Sequence, residues 1–221
     1  MNQSNYLKSN IFECNNNLKH FFGNSGFTIP NNEKVFFLNQ THSDEVVNID
    51  NLKLSKDELN GDAIVTSKKD FYIGVKTADC VPILLGSTNS SFVAAVHSGW
   101  RGTFNKIIEN VIEEVMGTYR CSKNEILCAI GPSIGMCCYE VGSSMLNKFS
   151  KKFVLEDDDF IKKDKKCFLD LGQINKKIVN KLGVSNVELI PTCTSCENNF
   201  FSYRRDGSRS NNQISIIKSI R

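Results

Sequence analysis

Residues 77–103, TADCVPILLGSTNSSFVAAVHSGWRGT, decide the fold of this chain. Two short apolar runs, Val81–Leu85 and Phe92–Val96, are separated by the small polar residues of a turn. Runs of this length and composition, bounded by turn residues, predict two β-strands. The polar residues Asp79, Cys80 and His97 therefore stand at the ends of predicted strands rather than within a loop of arbitrary position.

Similar runs recur along the chain. Further strands are predicted at Val35–Leu38, Asp62–Thr66, Phe71–Val75, Ile126–Ile130, Val187–Ile190 and Ile214–Ile217. Helical spacing predicts a helix capped by Thr103 that continues to Gly117, and amphipathic helices at Ser143–Phe153 and Asp170–Leu182. Because strands follow one another and helices lie mainly in the second half, we predict an α+β (mixed α/β) fold. It is expected to be one domain, residues 1–221, of mixed β-sheet layers flanked by helices.

Composition excludes several classes of protein. The chain has 221 residues, of which 40% are hydrophobic and 23% charged, as in ordinary globular domains. The formal net charge is only +3 with the signs well mixed, which argues against nucleic-acid binding. No apolar stretch approaches the about 20 residues of a membrane span, and the first residues do not resemble a signal peptide. We therefore expect a cytoplasmic protein without nucleic-acid or membrane partners, and we expect a monomer.

Three residues that bind metals well follow predicted strands: His42, Cys80 and His97. A rigid sheet holds such side chains in place while leaving them accessible to a ligand. Two imidazoles and one thiolate form a zinc ligand set with a fourth position open, as in catalytic zinc sites. Their wide spacing along the chain fits no compact metal motif. Hydrogen-bonded histidines and a small core cysteine therefore remain the alternative.

Other cysteines are less informative. Cys193 and Cys196 form a CxxC pair, but a closed four-ligand zinc site would need distant partners. The favoured interpretation is ordinary reduced thiols near a strand end. Cys137 and Cys138 are adjacent, do not easily share one tetrahedral ion, and are interpreted as structural.

Three arginines are candidates for binding an anion. Arg101 lies just ahead of the helix predicted near Thr103, where a guanidinium and unpaired N–H groups would together favour negative charge. Arg204 and Arg205 could supply further donors, with a surface ion pair to Asp206 as the alternative.

Six segments, in order, resemble those of a known family. They are QTHSD (40–44), DAIVT (62–66), TADCVPILL (77–85), AAVHSGWRGT (94–103), AIGPSIGMCCYEVG (129–142) and CTSCENNFFSYRRDG (193–207). Over about residues 35–207 the chain resembles the YfiH-like family, bacterial relatives of the mammalian laccase domain-containing protein FAMIN. The resemblance implies a single domain of mixed sheet layers and a metal site of two histidines and one cysteine, here His42, Cys80 and His97.

The resemblance also implies an activity. Family members are described as zinc-dependent purine nucleoside phosphorylases that act on adenosine, inosine and methylthioadenosine and also deaminate adenosine. Purine nucleosides and phosphate are then the expected partners, and Zn²⁺ the expected cofactor, with Cu²⁺ possible. Cys80, His97 and Asp79 are the expected catalytic residues, although Asp62 and Glu140 remain open for proton transfer. The expected substrate-binding residues are Gln40, Arg101, Arg204 and Arg205.

Alternatives of other classes stay open. An older description calls the family multicopper polyphenol oxidases, but four coppers would need roughly ten imidazole ligands and the chain has three histidines. A copper-dependent polyphenol oxidoreductase thus survives only as a single-copper centre. Cys80 and His97 could instead form a thiolate–imidazolium pair, giving a metal-independent cysteine hydrolase. A zinc-dependent interaction module is the non-enzymatic alternative.

Overall fold

A computed structural model describes residues 4–30, 33–52, 59–69, 71–208 and 210–220. The strands are β1 (Tyr6–Leu7), β2 (Leu18–Gly23), β3 (Val35–Phe36), β4 (Val46–Asn48), β5 (Ala63–Thr66), β6 (Tyr72–Thr77), β7 (Val81–Ser87), β8 (Val93–Ser98), β9 (Ile126–Ile130), β10 (Glu140–Val141), β11 (Phe160–Lys163), β12 (Lys166–Leu169), β13 (Asn186–Leu189) and β14 (Gln213–Ser219). The helices are α1 (Asn10–Glu13), α2 (Trp100–Asn105), α3 (Ile107–Tyr119), α4 (Ser143–Lys152), α5 (Leu171–Lys181) and α6 (Tyr203–Asp206).

The strands of the described residues form three sheets. The largest has the order β13-β9-β7-β8-β5-β4, and the second has the order β1-β2-β14-β6-β3. Both are mixed, since β13 runs parallel to β9 and β3 parallel to β6 among otherwise largely antiparallel pairs. The third sheet, β10-β12-β11, is antiparallel. The predicted α+β fold of mixed sheet layers with helices is confirmed.

The six-stranded sheet is the central layer, because both of its faces are buried. On β7, Ile83 and Leu85 belong to the apolar core shared with α3, α4 and α5. Leu84 points the other way, into a second core shared with the five-stranded sheet and α1. Successive side chains on a strand alternate between faces, so one apolar run serves both cores. The layers are thus sheet, sheet and helix.

The helix predicted from Thr103 differs from the observed one. Helix α2 already begins at Trp100, and Lys106, with a left-handed φ of 61°, separates it from α3. Thr103 is not an N-cap. It is fully buried inside α2, and its hydroxyl is bonded to the side chains of Ser98 and Asn175. Gly117 also lies within α3, which continues to Tyr119.

One hairpin was not predicted. Strand β11 lies within the lysine- and aspartate-rich segment 151–166, and β12 begins at its end; the two are joined by Asp164 and Lys165, with φ of 50° and 64°. Two consecutive left-handed residues make the tight turn that matches strand twist, but it is usually signalled by Asn-Gly or Asp-Gly. An Asp-Lys pair among lysines therefore gave no hairpin signal. Within the described parts of the chain, no helix has the length and apolarity to span a membrane.

Strand register brings the polar strand ends together. In the β7–β8 pair, Val81 lies opposite Ser98 and Pro82 opposite His97. Cys80, immediately before β7, is therefore held beside the end of β8. The backbone N–H of His97 also donates to the carbonyl of Asp62, just ahead of β5, at 2.7 Å.

A buried polar network fixes helix α5 against the end of β8. The Asn175 amide nitrogen donates to the Thr103 hydroxyl at 2.9 Å and to the Leu171 carbonyl at 2.8 Å, and its oxygen accepts from the Ser98 hydroxyl at 3.2 Å. Buried polar groups are costly when a partner is removed. This network therefore ties the helical layer to the strand that carries His97.

We predict that Asn175→Ala lowers the free energy of unfolding by about 1–3 kcal/mol, because it leaves buried hydroxyls without their partner. Asn180→Ala, at an exposed position of the same helix, is the matched control and should change stability little. Urea denaturation of both variants measures the difference. Equal stabilities of the two variants would contradict the assigned role of Asn175.

Candidate active site and metal centre

His42, Cys80 and His97 lie together at one edge of the central sheet. Their ligand atoms are all within 4.8 Å of one another. The two imidazole rings meet edge to face, with centroids 4.8 Å apart. The convergence predicted from strand ends is thus found in the structure, although the three residues come from widely separated parts of the chain.

The local backbone is shaped around this group. His42 has a left-handed φ of 58°, which turns the loop between β3 and β4 toward the sheet. Gly99 lies directly against the group, because a Cβ there would stand 3.1 Å from Cys80 Sγ and 3.4 Å from His42 Cδ2. Glycine at position 99 therefore leaves the thiol and the imidazole room to approach each other at the start of α2.

Asp62 holds the two histidines in position. One carboxylate oxygen bonds His97 Nδ1 at 2.7 Å and accepts the His42 backbone N–H at 3.1 Å. The other accepts the Ser43 N–H at 2.6 Å, the Ser43 hydroxyl at 2.7 Å and the Thr41 N–H at 3.2 Å. From the sequence, Asp62 is a candidate for proton transfer only. Its surroundings show a buried acceptor that organises the whole loop.

These contacts shift the ionisation of the group. Burial by itself would raise the pKa of Asp62, but bonds from His97 and Ser43 hold that pKa well below its usual range. Burial would lower the pKa of His97, yet Asp62 and Cys80 raise it to about 9. Burial would raise the pKa of Cys80, yet His42 and His97 lower it to about 7. The arrangement thus favours a thiolate next to an imidazolium in the metal-free protein.

The donor set fits a zinc ion. Because Asp62 occupies Nδ1 of His97, the Nε2 atom of that ring is the one free to act as a ligand, as is common when a carboxylate orients a ligating histidine. Two imidazole nitrogens and a thiolate sulfur are ligands that zinc prefers, and three protein ligands leave a position for a reacting molecule. His42, Cys80 and His97 could therefore hold the metal.

A cavity of about 630 Å³ opens over this group, within the range of small-molecule sites. It is lined by Gln40, His42, Lys76, Thr77, Ala78, Asp79, Cys80, His97, Trp100, Arg101, Ile134, Tyr139, Leu171, Tyr203, Arg204, Ser208 and Asn212. Most of the sequence-predicted site residues are therefore brought to a single cavity. The aromatic walls at Trp100, Tyr139 and Tyr203, and the cation of Lys76, were not predicted, because nothing in their local sequence marks them.

Arg205 does not belong to the cavity lining among the described residues. Its guanidinium pairs with the Asp206 carboxylate and donates to the carbonyls of Thr194, Glu197 and Phe200 at 3.1, 3.1 and 2.7 Å. The hydrogen-bond donors of this guanidinium are thus used within the protein. The surface ion pair with Asp206, given above as the alternative, is present.

Asp79 lines the cavity, but its carboxylate serves neighbouring segments. It accepts the Thr194 hydroxyl at 2.7 Å, the Ser202 hydroxyl at 3.1 Å and the Arg204 N–H at 2.7 Å. Its backbone is left-handed, with a φ of 84°. Conformations of this kind persist only where several contacts enforce them. The geometry therefore indicates a residue that positions Arg204.

Gln40 and Glu140 complete the predicted residues. The Gln40 amide makes a reciprocal pair with the backbone of Lys76, with both bonds at 2.8 Å. This pair joins the loop that carries His42 to the end of β6. Few hydrogen-bonding positions of the Gln40 amide therefore remain for a ligand. Glu140 pairs with Lys166 and does not contribute to the described cavity lining, so the cavity offers it no route to a substrate.

The third histidine lies elsewhere. His20, on β2, is buried among aromatic rings and accepts the Ser9 N–H at its Nε2 atom. Burial lowers its pKa to about 4. It is thus a neutral core residue that lies apart from the His42–Cys80–His97 group.

Residues 2–219 match the family described as multi-copper polyphenol oxidoreductase laccase, and the chain belongs to this family. It is 36% identical over 203 residues to a purine nucleoside phosphorylase of Clostridium acetobutylicum, covering 91% of this chain and 80% of that protein. It is 37% identical over 183 residues to adenosine deaminase RL5 of an unknown prokaryotic organism, covering 77% and 70%. Its fold matches the crystal structure of the Bacillus licheniformis hypothetical protein YfiH, with a TM-score of 0.82 at 24% identity over 92% of this chain and 93% of that one. The resemblance to the YfiH-like family is thereby confirmed.

We predict that Asp62→Asn weakens zinc binding at the His42–Cys80–His97 group by about 10–100-fold, as loss of a carboxylate that orients a ligand does. It should also lower the unfolding free energy by about 3–5 kcal/mol, because an amide nitrogen would face buried N–H donors. Competition with a chromophoric chelator and urea denaturation measure the two effects.

Asp50→Asn is the matched control. The Asp50 carboxylate accepts bonds from Thr66, Ser67 and Tyr119, away from the metal-ligand group. This variant should lose stability but keep zinc affinity. If Asp62→Asn also kept its zinc affinity, Asp62 would not orient the ligands.

Proposed function

We propose that this protein is a zinc-dependent purine nucleoside phosphorylase that also deaminates adenosine. The observation that carries the proposal is the His42–Cys80–His97 group on the wall of a cavity whose rim bears two arginines. The relatives named purine nucleoside phosphorylase and adenosine deaminase support this chemistry. The substrates proposed are adenosine, inosine and methylthioadenosine, with phosphate as the second substrate.

Arg101 and Arg204 are the proposed phosphate ligands. Phosphate carries about −1.5 to −2 charge near neutral pH and needs clustered donors. Arg101 extends from the first turn of α2, with its guanidinium carbon 5.2 Å from the centroid of the Trp100 ring. Arg204 is oriented by the carbonyls of Cys138 and Glu140, at 3.2 and 3.0 Å. An oriented guanidinium loses little further freedom when it binds an anion.

The aromatic walls are the proposed seat of the purine and ribose. Trp100, Tyr139 and Tyr203 present flat apolar surfaces beside the arginines. Burial, followed by the negative charge of Cys80, raises the pKa of Tyr139 to about 12. Its hydroxyl therefore stays protonated near neutral pH and can donate a hydrogen bond to a base nitrogen.

The bond changes define what the residues must do. In phosphorolysis a phosphate oxygen bonds to C1′, the bond from C1′ to the base nitrogen breaks, and the base leaves with a proton. Arg101 and Arg204 would hold the phosphate for that attack. In deamination a water oxygen bonds to C6 of adenine and the C6–N6 bond breaks, releasing ammonia. Asp79, tied to the Arg204 backbone, would act by positioning the rim.

A bound zinc ion would supply Lewis acidity at the fourth coordination position and lower the pKa of a bound water to about 7. The role of the surrounding residues is to hold the three proposed metal ligands in place. Asp62 fixes the orientation of His97 and the backbone of His42. Gly99, which has no side chain, leaves room for Cys80 Sγ to approach the two imidazole rings. His97 is buried and Cys80 partly buried, so little of either side chain is exposed to solvent outside the cavity.

The histidine count argues against copper oxidase chemistry of the multicopper kind, whatever the description of the family. A three-copper cluster with an electron-transfer copper draws mainly on imidazole ligands. The chain has three histidines, and His20 is enclosed in the core. A single copper at the His42–Cys80–His97 group is the oxidase arrangement that this chain could form.

One observation favours a second candidate. The Cys80 thiol and the His97 ring come within 4.8 Å of each other, and His97 Nδ1 is bonded to Asp62 at 2.7 Å, which is the order of nucleophile, base and orienting acid in cysteine hydrolases. A metal-independent hydrolase is therefore the runner-up. Zinc on Cys80 would block the nucleophile, so the two functions exclude each other.

We predict that zinc-loaded protein incubated with adenosine yields adenine only when phosphate is present, and inosine with or without phosphate. Liquid chromatography of the products measures both reactions. Removal of zinc by a chelator should abolish both, and His97→Ala should do the same because it removes a ligand. If neither product forms with zinc bound, the nucleoside assignment fails. Turnover that survives chelation would favour the hydrolase.

We predict that Arg101→Ala raises the phosphate KM of phosphorolysis by about 10–100-fold, the worth of a charge-assisted hydrogen bond. Arg101→Lys should recover part of this loss, and phosphate-independent deamination should be largely retained. Arg120→Ala, an exposed arginine at the end of α3, is the matched control and should leave the phosphate KM unchanged. An unchanged KM in Arg101→Ala would remove Arg101 from the phosphate site.

A further inference from the structure

Four cysteines converge outside the cavity. Cys137, Cys138, Cys193 and Cys196, here the cysteine cluster, have sulfur atoms that all lie within 4.8 Å of one another. Cys196 Sγ is 3.5 Å from Cys137 Sγ and 3.4 Å from Cys138 Sγ. The expectation from the sequence is of ordinary thiols at Cys193 and Cys196 and of an adjacent structural pair that does not easily share one ion. The observed convergence differs from it, because the turn brings the two neighbouring sulfurs close to the same point.

The two segments that carry the cysteine cluster each form a hydrogen-bonded turn. The N–H groups of Cys138 and Tyr139 both donate to the Gly135 carbonyl, at 3.0 and 2.9 Å. On the other segment, the N–H groups of Cys196 and Glu197 donate to the Cys193 carbonyl, at 3.2 and 3.1 Å. Each segment therefore presents two sulfurs from one compact turn, and the sequence supplies the distant second pair that a CxxC needs for four ligands.

Backbone pairing holds the two turns side by side. Ser133 forms a parallel bridge with Cys193, in which its carbonyl accepts the Thr194 N–H at 3.0 Å. The Gly135 N–H donates to Cys193 Sγ at 3.3 Å. A donor aimed at sulfur favours the thiolate form, which is the form that binds metal. The cluster is thus preorganised by contacts that do not involve the other sulfurs.

We propose that the cysteine cluster is a second metal site, a closed structural zinc centre of four thiolates. In tetrahedral zinc with Zn–S bonds of about 2.3 Å, the sulfurs are about 3.8 Å apart. The separations of 3.5 and 3.4 Å from Cys196 Sγ are slightly shorter than that value, and all four sulfurs lie within 4.8 Å of one another, so a small outward shift of the side chains would admit the ion. Zinc binding would displace the thiol protons to solvent and needs no oxidant or reductant.

The position of the sulfurs favours a metal over packing or a disulfide. Free cysteine is typically buried, whereas Cys137 and Cys196 are exposed. A single disulfide would use two of the four sulfurs and would not explain why the other two lie so close to them. Arg205 braces the same turn, because its guanidinium donates to the carbonyls of Thr194, Ser195 and Glu197. The fully bonded Arg205 thus helps to hold Cys193 and Cys196 in place.

The centre would stiffen the rim of the cavity. The Cys138 carbonyl accepts from Arg204, which lines the cavity, and Arg204 lies over the neighbouring Tyr139 ring. A metal that fixes the turn of Cys138 thereby fixes two walls of the candidate active site. The inference does not rest on the proposed nucleoside chemistry, because the cluster has no contact with the reacting position.

Metal content by mass spectrometry tests the proposal on the full-length protein expressed with zinc. About two zinc ions per chain are expected, one closed and one open site. Cys193→Ser/Cys196→Ser should keep about one, and His42→Ala/His97→Ala should also keep about one. Cys14→Ser, which replaces an exposed cysteine outside both groups, should keep two. A double-serine variant with as much zinc as the wild type would overturn the proposal.

A second measurement holds even if the double-serine variant does not fold. The His42→Ala/His97→Ala protein, loaded with cobalt(II), should show the intense visible absorption of a tetrahedral tetrathiolate ion, lost after thiol blocking. A weak octahedral spectrum would overturn the proposal. Titration of the denatured wild type should find nine reactive thiols, the full cysteine content. Two fewer would indicate a disulfide and overturn it, and iron in place of zinc would overturn the metal assignment.

Discussion

The site depends on one buried carboxylate. Asp62 is removed from water at the start of β5, where an isolated negative charge would be strongly unfavourable. Its negative charge is offset by a short contact with His97 and by a set of N–H and hydroxyl donors from residues 41–43. The loop therefore takes its shape from the carboxylate. That shape, with His42 in a left-handed conformation, is what brings a second imidazole to Cys80.

Asp79 plays a similar part in the cavity wall. This buried carboxylate, which lies just after β6, accepts from a distant segment, namely from Thr194, Ser202 and the backbone of Arg204. The two aspartates thus anchor two segments beside the sheet, the loop of residues 41–43 and the chain from Thr194 to the start of α6. Loop residues positioned in this way can carry chemistry without the mobility that loops usually have.

The two adjacent arginines near the rim of the cavity make different contacts. Arg204 faces the cavity and is aimed by the carbonyls of Cys138 and Glu140, while Arg205 faces away and spans the turn 194–197. Two adjacent arginines therefore have opposite tasks, one open to a ligand and one bonded within the protein. The proposed zinc centre at the cysteine cluster lies behind both, where it would restrain the segments that carry them.

The sequence by itself determined the class of fold, most strands of the central sheet, and the choice of His42, Cys80 and His97 as the residues proposed to bind a metal. These features can be predicted from short stretches of sequence, because an apolar run of strand length and the polar residues that follow it are adjacent along the chain. Only the tertiary structure decided which neighbours each side chain has. It separated Arg204 from Arg205, assigned the Asp62 carboxylate to a loop far along the chain, buried Thr103 inside a helix, and joined Cys137 and Cys138 to Cys193 and Cys196. Such contacts are decided by strand register and by how the layers pack, which no short stretch of sequence encodes.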